Sequence, residues 1–203
     1  MDSTIALFGG SFNPIHVAHL AVARAAMEAL GLERLVLVPS ARPPHKPSAD
    51  LAADTHRLAM CRLAAADDPR FEVSDVELRR QGPSYTVDTL ADVRRRRPEA
   101  SLVLLVGADM LRDLHLWHRF EEIVRLARVV TLPRPGVELG RLEPLRRALG
   151  DATADALLAD VLPTPRVDVS ATDIRRRIRQ GLPIDGLVPP AVADYIREHR
   201  LYH

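Results

Sequence analysis

Three features of the chain predict an α/β protein. Short apolar runs recur at Ile5 to Phe8, Arg34 to Pro39, Ser101 to Val106 and Ala127 to Leu132. Such runs suit strands buried on both faces of a sheet. Longer stretches with helical spacing lie between them, and several end at a glycine or before a proline. The first run breaks into Gly9-Gly10 and leads at once into a helix. A strand, a glycine turn and a helix start together form a site that attracts anions, because the free N–H groups and the positive dipole end point the same way.

That first unit, TIALFGGSFNPIHVAHL, organises the rest. Two successive glycines let the backbone turn sharply or approach a ligand. Pro14 biases Asn13 away from helix. The helix that follows runs to about Leu30 and stops at Gly31. His16 and His19 are spaced i, i+3 and share one face of its first turn. Gly-Gly alone is also an ordinary tight turn, and two histidines on a helix are also ordinary surface or core residues. Their conjunction directly after a strand points to phosphate binding. Neither G-x-G-x-x-G nor G-x-x-x-x-G-K-[ST] occurs there.

Composition narrows the function classes. The 203 residues suffice for one domain with a proper core, and no linker or repeat marks a boundary within 1-203. A net charge of +1 gives no bulk attraction to nucleic acid or acidic membranes. The single cysteine, Cys61, fits a small core residue in a reducing, cytoplasmic compartment. The first strand starts almost at Met1, so no signal peptide is expected. No apolar stretch approaches the ~18 residues of a membrane span. Of 28 basic side chains, 27 are arginine and one is lysine, Lys46. A site that wants a compact, rotatable ammonium would explain that one exception, as would codon bias.

In order, SARPPHKPSAD after the second strand reads as a proline-stiffened loop carrying Arg42, His45 and Lys46. Ala53 to Ala66 reads as an amphipathic helix and Phe71 to Ser74 as a short strand. In QGPSYTVD, Gly82-Pro83 is a turn, and Ser84 or Thr86 is placed to cap a helix reaching about Arg97. Arg94 to Arg97 reads as a solvated run in the last turn, where cations suit the dipole. The most apolar strand, Ser101 to Val106, ends in Gly107-Ala108-Asp109. In open parallel sheets ligands bind beyond the carboxyl ends of strands, and a carboxylate there can accept from a ribose diol or cap the next helix. That helix, LRDLHLWHRF, carries Trp117. Leu142 to Leu158 is weakly helical. In VSATDIRRRI, Ser170 and Asp173 form a capping pair, and the helix ends at Gly181. Ser170, Thr172 and Arg175 then offer a second anion site, which faces the first if the Ile5 and Ser101 strands are neighbours.

Five motifs, GGSFNPIHVAHL, PPHK, SYTVDTL, GAD with the following Trp117, and VSATDIR, occur in the order found in the bacterial nicotinate-nucleotide adenylyltransferases of the HxGH nucleotidylyltransferase superfamily. The closing LVPPAVADYIREHRLY is similar too, so the resemblance runs from Ile5 to Tyr202. Asn13 stands where aspartate is common, and Ala18 where the short motif has glycine. The resemblance implies a single doubly wound, Rossmann-like domain, with a parallel sheet and helices on both faces. It implies transfer of the adenylyl group of ATP to nicotinate mononucleotide, giving nicotinate adenine dinucleotide and pyrophosphate, in NAD biosynthesis.

Carried over residue by residue, the resemblance assigns ATP to Gly9, Gly10, Ser11, Phe12, His16, His19, Ser170, Thr172 and Arg175. It assigns the acceptor to Tyr85, Thr86, Asp109 and Trp117, with Asp109 on the ribose and Trp117 stacked on the pyridine ring. His16, His19, Lys46 and Arg175 are the donors for the chemistry. Mg²⁺ is expected to accompany ATP, since no carboxylate cluster suggests a protein-held metal. No nucleic-acid or membrane partner is expected, and a homo-oligomer is left open. The rival readings are transfer to another phosphate acceptor such as phosphopantetheine, and a non-catalytic nucleotide sensor or RNA-binding module.

Overall fold

The computed structural model describes residues 4–41, 51–134, 136–165 and 167–203. Five strands form one sheet: β1 (Thr4–Gly10), β2 (Leu35–Pro39), β3 (Phe71–Val73), β4 (Ser101–Gly107) and β5 (Arg128–Leu132). Their order is β3-β2-β1-β4-β5, with every pairing parallel. Strand β1 is therefore central, with the most apolar strand, β4, beside it. The order reverses between β1 and β4, which opens a crevice beyond their carboxyl ends.

Side chains alternate across the sheet, as the two-residue period of a strand requires. Ala6, Phe8, Val103 and Leu105 join one core cluster, and Leu7, Leu102, Leu104 and Val106 the other. The first is covered by α1 (Val17–Leu30), α2 (Asp54–Ala65), α8 (Ala171–Arg179) and α9 (Pro190–Glu198). The second is covered by α3 (Thr86–Arg96), α4 (Ala108–Arg112), α5 (Phe120–Leu126), α6 (Glu143–Leu149) and α7 (Asp151–Ala159). Helices thus lie on both faces of a parallel sheet. The weakly patterned stretch after Leu142 is two short helices whose Leu145, Ala154 and Leu157 are buried.

Helix ends follow local chemistry where the signal is local. Gly31 closes α1 at φ 62°, and the Leu32 N–H reaches back to the Met27 carbonyl at 2.8 Å. Ser170 caps α8 by accepting from the Asp173 N–H at 3.1 Å. The Asp173 carboxylate accepts from Arg176. Three expectations need correction. Neither Ser84 nor Thr86 caps α3, whose N-cap is Tyr85. Trp117 lies on no helix but in extended backbone after a 3₁₀ turn at Leu114–Leu116. Arg95 to Arg97 are exposed as expected, but Arg94 is half-buried and donates to the carbonyls of Ala100 at 2.7 Å, Pro98 at 3.0 Å and Leu126 at 3.2 Å. Those carbonyls lie near the end of α3, where a cation also suits the dipole. Among the described residues, no helix is long and apolar enough to cross a membrane.

Candidate active site

The Gly9–Gly10 pair does not make the turn after β1. Both glycines lie in the strand, and neither has a positive φ. The turn is made by Phe12, at φ 42°, and by a cis Asn13–Pro14 peptide. Each glycine has its own reason. A Cβ on Gly10 would come within 3.0 Å of the Phe12 ring, so the ring needs that position bare. A Cβ on Gly9 would enter open space, and Gly9 lines the main cavity. A ligand can therefore approach the backbone at Gly9.

Phe12 is buried, and its ring meets Phe8 and His19 edge-on, with centroids 5.8 and 5.1 Å away. Phe12 as a whole is 1% exposed and is not a wall of the main cavity, so its part here is to shape the turn. His16 is the N-cap of α1, one residue before the helix proper. The His16 and His19 rings stack with centroids 3.7 Å apart. The His16 backbone N–H donates to His19 Nδ1 at 3.3 Å. An accepting Nδ1 carries no proton, so Nε2–H is the donor that His19 can offer. Burial, aided by the charge of Arg134, lowers the His16 pKa to about 4. His16 is consequently a neutral imidazole at pH 7, able to donate a hydrogen bond but bringing no charge.

Arg175 links the GGSFNPIH segment to VSATDIR. Its Nη1 donates to the Asn13 carbonyl at 2.9 Å across 162 residues of sequence. Strands β1 and β4 are neighbours, as the two-site arrangement requires. Ser170 and Thr172 sit exposed at the start of α8 and do not line the main cavity. Asn13 explains its own identity: its side-chain oxygen accepts from the Ala52 N–H at 3.0 Å. An acceptor oxygen is needed there, and amide and carboxylate both supply one.

The cavity extends from β1 over β4. Ser11, Tyr85, Thr86, Met110, Trp117 and His118 are among its walls. The uncapped start of α3 thus opens at the same cavity as Trp117. Asp109 lies in the first turn of α4, and its Oδ1 lies so close to Gly107 that a Cβ there would be 2.7 Å away. Gly107 therefore makes room for this carboxylate. Asp109 Oδ2 accepts from Arg134 at 2.6 Å. Lys46 and its neighbours Arg42 and His45 lie outside the described residues.

Two residues near the site are absent from the sequence reading. Arg134, in the segment directly after β5, faces both Asp109 and His16. The signal was available: an arginine between prolines beyond an apolar strand is a basic group at a strand's carboxyl end. His118 stacks on Tyr85, with centroids 4.2 Å apart and planes 31° from parallel. Its partner is 33 positions away, and no local pattern announces it. Among the described residues, no group of three or more His, Cys, Asp or Glu is placed to hold a metal.

A family model described as cytidylyltransferase-like matches residues 7–177. The chain belongs to this family. Within it, a "probable nicotinate-nucleotide adenylyltransferase" of Thermus thermophilus is 44% identical over 198 residues, 98% of this chain and 98% of the relative. One from Synechococcus sp. with the same name is 41% identical over 198 residues, 98% of this chain and 94% of the relative. A solved structure, a Plasmodium falciparum nicotinic acid mononucleotide adenylyltransferase complexed with NaAD, superimposes with a TM-score of 0.78. It shares 18% identity over 98% of this chain and 97% of that one, so the likeness is one of fold. This cytidylyltransferase-like chain is therefore similar to nicotinate-nucleotide adenylyltransferases along nearly its whole length.

Proposed function

We propose that the protein joins ATP and nicotinate mononucleotide into nicotinate adenine dinucleotide and pyrophosphate, in the cytoplasm, as a step of NAD biosynthesis. The observation that carries this reading is convergence. Arg175 of α8 meets Asn13, three residues before His16, and Ser11, two residues before Asn13, is a wall of the cavity that the start of α3 and Trp117 also line. An oxygen of the acceptor phosphate attacks the α-phosphorus of ATP, the bond to the β-phosphate oxygen breaks, and pyrophosphate leaves. The acceptor phosphate is largely ionised at pH 7 and needs no strong base. The protein's part is alignment and charge stabilisation, with little covalent chemistry. His16 and His19 donate neutral N–H groups, while Arg175 and Lys46 bring positive charge. Mg²⁺ enters with ATP as part of the substrate.

Trp117 and the amides near Thr86 form a slot for a flat ring bearing a carboxylate. An amide in place of that carboxylate leaves the donors mismatched, at about 1–3 kcal/mol. Pyrophosphate release measured with a panel of acceptors tests the whole reading. Nicotinate mononucleotide is expected to exceed its amide by at least about tenfold in kcat/KM. Equal use of both would contradict the slot, and turnover only with another phosphate acceptor would overturn the substrate assignment.

Lys46 belongs to the same proposal, on the strength of its sequence context alone. If it meets phosphate oxygens through a rotatable ammonium, the planar fork of arginine replaces it poorly. Lys46→Arg and Lys46→Ala should each lose at least about tenfold in kcat/KM for ATP, or ~1.4 kcal/mol. A fully active Lys46→Ala would make the sole lysine an accident of composition.

A further inference from the structure

Two buried polar networks, neither used by the reaction itself, meet on the two residues at the exit of β2. On one side is Arg57 of α2, which is fully buried. Its Nη1 donates to the Ser11 carbonyl at 2.8 Å and to the Ser40 carbonyl at 2.6 Å, and its Nε to the Ala52 carbonyl at 3.0 Å. Its Nη2 is paired with Asp54. The Ser40 N–H donates to the Gly10 carbonyl at 2.9 Å, so Ser40 is tied to the end of β1 directly and to Ser11 through Arg57.

On the other side is Glu77, also buried. Its Oε1 accepts from the Thr89 hydroxyl at 2.8 Å, and its carboxylate also hydrogen-bonds the Ser84 hydroxyl. Ser84 Oγ in turn accepts from the Ala41 N–H at 2.9 Å. A hydroxyl has one proton, so Ser84 relays in one direction: Ala41 N–H to Ser84, then Ser84 O–H to Glu77. Ser84 directly precedes Tyr85, the N-cap of α3. Its hydroxyl is thereby withdrawn from capping.

Burying a guanidinium and a carboxylate is costly unless each is fully hydrogen-bonded, and apolar packing often serves stability equally well. Arg57 holds the Ser11, Ser40 and Ala52 carbonyls on the β1 side, and Glu77 holds the Ser84 and Thr89 hydroxyls on either side of Tyr85–Thr86. Ser11, Ser40, Glu77, Ser84 and Thr89 are all walls of the one cavity. We propose that Ser40–Ala41 is a strut that sets the separation of the two substrate half-sites, with Arg57 its positioning residue on the nucleotide side and Glu77 on the acceptor side. The proposal rests on the adenylyl-transfer reading and names the parts that hold its two halves in register.

The test is a split in Michaelis constants, which general destabilisation does not produce. Glu77→Gln leaves one oxygen for two hydroxyls, and Ser84→Ala removes the relay. Each should raise the acceptor KM by about fivefold or more, the lower end of what an unpaired buried group costs, with the ATP KM within about twofold. Ser84→Thr keeps the hydroxyl and should restore the acceptor KM. Arg57→Lys should show the reverse split, raising the ATP KM. If Arg57→Lys does not fold, the Glu77 and Ser84 variants decide. Both constants rising together in folded variants, or neither moving, overturns the strut. Failure of the underlying reading is distinct: the unmodified protein would then show no turnover with nicotinate mononucleotide. An active protein with another acceptor submits to the same split, measured with that acceptor.

Discussion

Replacing His19 by alanine is expected to lower turnover about 10²–10³-fold, roughly 3–4 kcal/mol of transition-state stabilisation. The magnitude follows from preorganisation. His19 is packed edge-on by Phe8 and Phe12, and its Nδ1 holds the His16 backbone N–H. The ring therefore needs no reorientation when charge develops on the phosphates. The mutant should fold, because His19 is only half-buried and the core beneath it belongs to Phe8, Phe12 and Leu20. Single-turnover measurement separates the chemical step from product release. A well-folded His19→Ala protein with near-normal turnover would remove the histidine from the reaction.

The second large effect is on stability and concerns His16. Its ordinary pKa is 6.5, and burial lowers it to about 4 in the folded protein. Between those values the unfolded chain binds the extra proton, so stability rises with pH across the window. The contribution is complete above pH 6.5 and is lost as pH falls toward about 4, reaching on the order of 3 kcal/mol. Two other buried or paired groups act elsewhere. Hydrogen bonds from Arg70, and then from Arg24, hold Asp68 below its ordinary 3.8, so its stabilisation is lost only at lower pH. Burial raises Glu77, whose contribution has the opposite sense and fades as pH rises. Comparing urea unfolding of the unmodified protein with His16→Gln cancels both. The difference between the two unfolding free energies should change by about 3 kcal/mol from pH 7 to pH 4. Parallel curves would mean that His16 is not held neutral. In the reaction, the same property keeps His16 an uncharged donor from about pH 5 upward, so it should add no inflection to the rate profile there.

What can be read in the sequence and what cannot divides along contact range. The strands were legible because an apolar run is a set of consecutive residues, although Gly9 and Gly10 turned out to lie inside β1 rather than to break it. The end of α1 at Gly31 and the cap of α8 at Ser170 were legible because each is made within one turn. The histidine pair was legible because i, i+3 spacing fixes a shared face. The sequence also determined which chemical groups are present: two imidazoles, one lysine, a carboxylate after β4 and a tryptophan downstream.

The tertiary structure decided which of these meet. Arg175 reaches Asn13 only because α8 packs on the face of the sheet that also carries α1. Arg94 looked solvated because charge runs usually are, yet the segment after α3 and the end of α5 place three carbonyls within its reach. Ser84 looked like a cap, but the sheet brings the Ala41 N–H to it, and a hydroxyl with that partner turns its proton to Glu77 instead. Trp117 left its predicted helix where the chain shortens into a single 3₁₀ turn. The first three share one physical reason. Local propensity is set by neighbours within a turn, whereas a buried donor takes whichever acceptor the packing delivers. The order β3-β2-β1-β4-β5 fixes that delivery, and with it the place where the two motifs converge.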